Sequence, residues 1–341
     1  MSKKILVTGG AGYIGSHTVV ELVKAGFSPI IVDDFRNSKR FILDRINALT
    51  NYTIPFYKID CNDSTQMEKI FTDHPDLNGV IHFAAYKAVG ESVNLPLMYY
   101  KNNVGSLVVL LELMEKHKVK NLVFSSSCTV YGEPDSPVVT ENTKLQTATS
   151  PYGETKLICE KIINHTYKAS DNLQAVLLRY FNPVGAHPSA TLGELPQGIP
   201  NNLLPYLTQT VNGIRDVLTV YGDDYKNTVD GTCVRDYIHV VDLANAHVKA
   251  LEWLSKKTEP IVDTFNIGTG SGSSVLEVIT TFEKVNNETV NYSVGPKREG
   301  DVEQIYADAS KANDILNWHC QYTLADSLKH SWEWEKSISS K

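Results

Sequence analysis

Tyr152 and Lys156 stand four residues apart in the stretch Tyr-Gly-Glu-Thr-Lys. Four residues is about one helical turn, so on a helix the phenol and the ammonium share a face. A free tyrosine has a pKa of about 10 and is a poor base at neutral pH. An ammonium about 5 Å away, at an effective dielectric near 20, stabilises tyrosinate by roughly 3 kcal/mol, or about two pKa units. The spacing therefore predicts a tyrosinate able to take a proton at about pH 7 to 8. Ser127, the last of a serine run at 125–127, can donate to a substrate hydroxyl or relay its proton. The bland alternative is a solvent-facing helix pair beside a polar strand end.

A second constellation lies at the start of the chain. Gly9-Gly10-Ala11-Gly12-Tyr13-Ile14-Gly15 follows an apolar run directly and opens a helical pattern. Read from Gly10 it is G-x-G-x-x-G; read from Gly9 it is G-x-x-G-x-x-G. Glycines suit a tight turn, close approach of a pyrophosphate and close helix–strand packing. The anion then sits at a helix N-terminus, where free N–H groups and the helix dipole favour negative charge. Asp33 closes the next apolar run, 18 residues after Gly15. A carboxylate there can bond both ribose hydroxyls and repels a 2′-phosphate, which favours NAD over NADP. Arg36, Lys39 and Arg40 lie close behind and leave phosphate recognition open. Oxidised nicotinamide carries positive charge and would push the tyrosine further toward its anion.

These residues need elements to hold them. Short apolar runs at 4–8, 29–33, 54–60, 79–85, 121–126 and 174–181 read as strands, continuous rather than alternating, as parallel strands covered on both faces are. Helical periodicity fills 14–25, 66–73, 104–118 and 153–168, with Leu107, Leu110, Leu111 and Met114 forming one apolar stripe. The alternation predicts an α/β fold with a doubly wound parallel Rossmann sheet. After about residue 182 the texture changes to proline- and glycine-rich segments, with a strand at 217–221, a helix at 237–254, a strand at 263–268 and a helix at 275–286. The predicted organisation is a dinucleotide domain over 1–182, with 237–268 packing back on it. A smaller mixed α/β substrate domain takes 183–236 and 269–341.

Composition removes several other classes. The chain has 341 residues, 42% hydrophobic and 21% charged, with a net charge of −7. That is enough for a substantial core, and the acidic balance argues against general nucleic-acid binding. No run of 18 apolar residues occurs, so no spanning helix is expected, and the N-terminus is too short in apolar residues for a signal-peptide core. The five cysteines show neither C-x-x-C nor zinc spacing, and His17, His82 and His187 have no metal-ligand spacing; no metal is expected. Reduced thiols and no leader suggest a cytoplasmic protein.

Together these residues resemble the extended short-chain dehydrogenase/reductase family, and within it the UDP-galactose (UDP-glucose) 4-epimerases. The motifs that carry the resemblance lie at 8–17, 37–40, 82–92, 125–132, 152–156, 179–187, 230–240 and 298–301, in family order. The resemblance implies C4 epimerisation of a UDP-hexose through a transient 4-keto sugar, with NAD retained. Tyr152 would act as base, assisted by Ser127, with Lys156 also on the nicotinamide ribose. Tyr13, Ile14, Asn37, Ser38, Asp60, Cys61, Phe83, Ala84, Lys87, Asn102 and Phe181 match the family's other NAD contacts, beside Gly9, Gly12, Gly15 and Asp33. On the UDP-sugar side, Arg235 and Arg298 fit the diphosphate and Asn182 and Asn202 supply amides. Leu203, Thr219 and Tyr221 resemble the uracil stretch, Asp301 the ribose contact, and Lys87 lies near the sugar. Ile305 occupies the position beside the sugar's 2-substituent, which leaves acetamido sugars open as second substrates.

Three rivals stay in view. A 4,6-dehydratase needs an acid and a base beside the keto sugar; the resemblance implies an Asp-Glu pair for that chemistry directly after the serine, where this chain has Cys128 and Thr129. A glucuronate or pentose 4-epimerase would share the catalytic trio. A non-catalytic NAD sensor would not need the Tyr–Lys pair. The family implies a homodimer joined through helices at about 93–117 and 152–168.

Overall fold

The computed structural model describes residues 2–298 and 301–339. Glu299 and Gly300, inside the 298–301 motif, lie outside the described residues.

The apolar runs of the first half form one sheet. Its strands are β1 (Lys4–Thr8), β2 (Ser28–Val32), β3 (Phe56–Tyr57), β4 (Leu77–His82), β5 (Asn121–Ser125), β6 (Gln174–Tyr180) and β7 (Ile261–Ile267). They lie in the order β7-β6-β5-β4-β1-β2-β3, and every neighbouring pair is parallel. Successive strand residues serve opposite faces: Ile5 and Val7 enter one core, Leu6 the other. Each face has its own helices. Helices α1 (Tyr13–Lys24) and α4 (Val240–Leu254) pack together on the first face, and α2 (Gly105–Lys116) covers the second. The continuous apolar character of the strands follows from this double coverage.

The run at 54–60 yields only the two-residue β3, an edge strand paired with β2 alone, with Pro55 and charged Lys58 and Asp60 beside it. The stretch 237–254 splits into a short strand, Tyr237–His239, and α4; β7 then returns to the edge of the first sheet beside β6. Helix Ser310–Leu316 also packs on β7 and α4, so part of 269–341 belongs to the first core.

The helix expected over 93–117 runs unbroken from Pro96 through a π-turn at Tyr100–Val104 into α2, and only Leu95 separates it from the short helix Val89–Asn94 before it. Pro96 has no N–H to continue the ladder, and Leu95 leaves helical geometry at φ −128°. The Leu107–Met114 stripe is buried against the sheet, which removes it as a surface for a partner.

The second half builds a third core around Leu207, Val220, Phe282 and Trp332. A small sheet joins Ser273–Ser274, Val234–Arg235, Gln304–Ala307 and Val138–Val139, the last of these from the first half. Leu218–Tyr221 pairs with Tyr292–Gly295, and Asn182–Val184 with Tyr237–His239. Trp318 and Trp334 are buried as packing residues, each indole N–H donating to a backbone oxygen.

Candidate active site

The glycine turn joins β1 to α1, and its shape admits no side chain at Gly9 or Gly15. A Cβ on Gly15 would stand 2.2 Å from the Gly9 carbonyl oxygen, and one on Gly9, at φ +69°, would stand 2.9 Å from the Ala84 nitrogen. Gly12 caps α1 without any side-chain bond, and the first turn carries no acidic residue. The helix N-terminus therefore offers bare N–H groups to an anion. Asp33, at the end of β2, is 8% exposed; its Oδ2 accepts from Ala11 N at 3.1 Å, and its Oδ1 from Phe35 N at 2.9 Å and Ser38 Oγ at 2.7 Å. Burial raises its pKa, and these three bonds pull the other way. One lone pair on Oδ2 stays open for a hydroxyl. Arg36 is committed to carboxylates, at 2.6 Å from Asp60 and 2.7 Å from Asp34, and also donates to Tyr86 Oη and Asn102 Oδ1. It is therefore poorly placed to take a 2′-phosphate, in keeping with NAD.

The remaining cofactor candidates ring the C-terminal ends of the strands, where ligands of such sheets bind. Asp60 and Cys61 follow β3, Phe83 and Ala84 follow β4, Ser127 follows β5 and Phe181 follows β6. Ile14 packs against the first core, and the Tyr13 hydroxyl donates to Gly185 O at 2.6 Å. Asn37 is exposed beside the buried Ser38. The fit to a bound dinucleotide rests on the glycine cradle and the open helix terminus.

The catalytic candidates meet where β5 ends and helix α3 (Pro151–Ala169) begins. Ser150 caps α3 by accepting from Gly153 N, and Pro151 suits its first turn. Each serine of the run has its own anchor. Ser125 O accepts from Lys156 Nζ at 2.6 Å, and Ser125 Oγ meets Tyr180 Oη. Ser126 Oγ donates to Glu160 Oε1. Ser127 is 6% exposed; its Oγ accepts from Thr129 N at 3.3 Å and lies near enough to the Tyr152 phenol to act on it.

The expected tyrosinate is not a property of the chain alone. Burial holds the Tyr152 phenol well above its ordinary pKa, the neighbouring Tyr180 adds to this, and Ser127 only partly offsets it. Lys156 does not overcome this burial. Its nitrogen is 6.0 Å from the Tyr152 ring centroid, gives one N–H to Ser125 O, and is itself pushed down to about 8 by burial. The short-range attraction read from helical spacing is outweighed by desolvation of both groups.

The substrate-side candidates of the second half lie in separate clusters, and a second group draws on both halves. Arg235 pairs with Asp301 at 2.6 Å, and Ile305 lies in register beside Arg235 while packing with Val130, Leu157 and Phe181. The Arg298 guanidinium stacks 3.8 Å over the Tyr221 ring, on the strand that carries Thr219. Neither arginine is a bare cation: one is paired with the carboxylate expected at the ribose, the other lies on the tyrosine of the uracil stretch. Asn182 begins the strand paired to Tyr237–His239, and Leu203 opens helix Leu203–Val211. Lys87 and Asn202 form the second group, both donating to Glu194 Oε1 at 2.9 Å.

Glu194 was not among the candidates, nor were Asn103 and the Glu160–Arg179 pair. Asn103, in the π-turn, bonds Tyr86 N and O and donates to Thr155 on α3. Arg179 holds Glu160 through two bonds at 2.9 and 2.6 Å, both side chains buried. Of these, only Arg179 left a sequence signal, as a charge inside the apolar run of β6.

The chain and its fold match those of known proteins. A family model described as GDP-mannose 4,6 dehydratase matches residues 6–331. A UDP-glucose 4-epimerase of Yersinia pestis is 50% identical over 332 residues, 97% of each chain. The crystal structure of a UDP-glucose-4-epimerase of Stenotrophomonas maltophila, with bound NAD and formylated UDP-arabinopyranose, superposes with a TM-score of 0.96 at 43% identity, covering 99% of both chains. That of Bifidobacterium longum, in complex with NAD+ and UDP, gives 0.94 at 46% identity, again over 99% of both.

Proposed function

The chain belongs to the UDP-glucose 4-epimerase family, and from that premise we propose the reaction and the residues that perform it. The protein interconverts UDP-galactose and UDP-glucose by inverting C4 through a transient 4-keto sugar. The observation that carries the reading is the meeting of Tyr152, Ser127 and Lys156 at the C-terminal end of β5, in a fold whose glycine turn admits no side chain at Gly9 or Gly15. Bound NAD supplies the oxidising equivalent at C4 and returns it, so no external redox partner is consumed.

Tyr152 takes the proton from the 4-hydroxyl and later gives it back. Ser127 bonds both the phenol and the sugar hydroxyl. Lys156, fixed on Ser125 O, holds the nicotinamide ribose and supplies positive charge beside the phenol. Gly9, Gly12, Gly15, Asp33, Ser38, Phe83, Asn102 and Phe181 contribute to the dinucleotide site. Arg235 and Arg298 face the diphosphate, with Asp301, Thr219 and Tyr221 toward the nucleoside.

The family model's description names a dehydration, but loss of water across C5–C6 needs an acid and a base beside the keto sugar. The residues directly after Ser127 are Cys128, whose thiol burial raises to about 12, and Thr129. Neither does that work. The fold is also consistent with a two-subunit assembly through the face that carries Val93 and Leu97, which are 60% and 82% exposed.

The test is product analysis on the purified protein, with no NAD added. UDP-galactose should yield UDP-glucose, and a parallel incubation with UDP-N-acetylgalactosamine reads whether Ile305 admits an acetamido group. Tyr152→Phe should abolish turnover while NAD stays bound. No conversion even after NAD is supplied would overturn the assignment, and UDP-glucuronate and UDP-xylose would follow.

A further inference from the structure

Lys87 and Asn202 come from opposite halves of the molecule, yet they converge on one oxygen. Lys87 Nζ and Asn202 Nδ2 both donate to Glu194 Oε1, each at 2.9 Å. Glu194 is a fixed post. Its carbonyl accepts from the Trp334 indole N–H at 2.8 Å, and a Cβ on the preceding Gly193 would stand only 2.4 Å from the Trp334 ring. Its side chain is 12% exposed, whereas that of Lys87 is 48% exposed.

Asn202 shows what the arrangement costs. It occupies the N-cap of helix Leu203–Val211, a position where an asparagine side chain ordinarily accepts from the helix's own N–H groups. Here its oxygen makes no cap bond, and the side chain is turned so that one amide N–H donates to Glu194. A half-exposed lysine–glutamate pair stabilises a fold very little, so holding the lysine in place is the more economical account of the contact. Donors remain to spare. An ammonium has three N–H groups and an amide two, and Glu194 takes one from each. Both groups can therefore face a ligand without leaving Glu194.

We propose that Glu194 is a positioning residue for the UDP-sugar site, a carboxylate that aims the Lys87 ammonium and the Asn202 amide together at the substrate's anionic and hydroxyl groups. The proposal rests on the epimerase reading above, which makes Lys87 and Asn202 substrate contacts. Glu194 itself touches no reacting atom. It also stands close to Tyr13, which places it at the joint between the cofactor turn and the substrate half.

The experiment uses the NAD-loaded protein and four variants: Glu194→Ala, Glu194→Gln, Lys87→Met and the double variant Glu194→Ala/Lys87→Met. UDP binding is measured by calorimetry, KM and kcat for UDP-galactose by product formation, and NAD content by absorbance after denaturation. Glu194→Ala should weaken UDP binding and raise KM by about tenfold, with kcat changed less than about twofold and NAD content unchanged. Glu194→Gln keeps the shape and one acceptor and should lie between Glu194→Ala and the unaltered protein. The double variant should lose clearly less than the product of the two single losses, because both act through the same ammonium. A purely structural role predicts multiplied losses together with lost NAD, and that result would overturn the proposal. So would unchanged UDP binding in both Glu194 variants. If the unaltered protein binds UDP but makes no UDP-glucose, the epimerase reading fails separately, while the binding cycle still reports on Glu194.

Discussion

Lys156 Nζ donates to the backbone oxygen of Ser125 at 2.6 Å, while the centroid of the Tyr152 ring stands 6.0 Å from the same nitrogen. The ammonium is thus tethered to the strand end that also supplies Ser127. Burial pushes its pKa down to about 8. A lowered lysine is charged below that value and neutral above it, and only the charged form favours a tyrosinate. The kcat for epimerisation should therefore fall as pH rises past about 8. Lys156→Arg keeps the charge at any accessible pH but not the geometry. It should lower kcat by about 10- to 100-fold and remove the alkaline fall. A pH profile of kcat for both proteins checks this; an identical alkaline limb in the arginine variant would sink the assignment of that limb to Lys156.

The glycine cradle makes a sharper structural prediction. At Gly15 an added methyl meets the Gly9 oxygen at 2.2 Å and the Gly10 Cα at 2.9 Å, both backbone atoms, so the turn itself must open. Gly15→Ala should retain less than about a tenth of the NAD and lower the melting temperature by several degrees. Gly90→Ala serves as the control, since nothing lies within 4 Å of its Cβ position. NAD content by absorbance and a thermal melt decide it. Normal NAD content in Gly15→Ala would mean that the pyrophosphate does not approach this turn.

What the sequence disclosed, and what it did not, follows from the range of each interaction. The glycine turn, the Tyr152–Lys156 pair and the stretches β1, α1 and β6 depend on neighbours within about one turn or on a local apolar run, and they read well. Pro96 was visible as a residue that starts a helix, but the π-turn at Tyr100–Val104 was not, since the apolar stripe that follows it is regular on paper. Glu194 was illegible because its partner Lys87 is 107 residues away and its backbone anchor, Trp334, is 140 away. Asn103 reaches 52 residues to Thr155. The pKa of Tyr152 failed for a related reason: helical spacing reports the attraction of Lys156, while burial, which wins, is set by the whole fold.

Buried histidines should make the fold sensitive to acid. Burial lowers His17, His187 and His247 to about 4, and His82 and His239 to about 3. The unfolded chain takes up protons near the ordinary histidine value of about 6.5, while the folded chain does not until much lower pH. The stability these groups allow is thus present above about 6.5 and is lost as pH falls from there toward 4. Asp242 opposes this, since burial raises it to about 6 and unfolding then releases its proton. Asp33 and Asp236 shift in the same direction as Asp242. The net uptake on unfolding should be roughly two to four protons between about pH 6 and 4.5. Urea unfolding at several pH values measures the slope; a free energy that is flat or rising as pH falls through this range would contradict the neutral, buried state of the histidines.

A face of exposed apolar side chains remains after the sheet is covered. Val89, Val93, Leu95, Leu97 and Val108 are 46, 60, 48, 82 and 37% exposed, and all lie between residues 89 and 108. The pieces Val89–Asn94 and Pro96–Tyr99 pack beside α3, so this face adjoins the helix that carries Tyr152 and Lys156. Exposed apolar side chains gathered in so short a stretch point to an association surface where they form one patch. The Leu107–Met114 stripe is already consumed by the sheet, so an assembly must use the outward residues instead. Light scattering should give a particle of about twice the 37.9 kDa subunit mass. Leu97→Glu, at the most exposed of these positions, should return the mass to that of one subunit, since a charge would be desolvated at the centre of the contact. Because the face abuts α3 rather than the glycine cradle, NAD content should be kept while kcat falls. A mass unchanged by Leu97→Glu would place the subunit contact on another face, or show that the protein acts as a single chain.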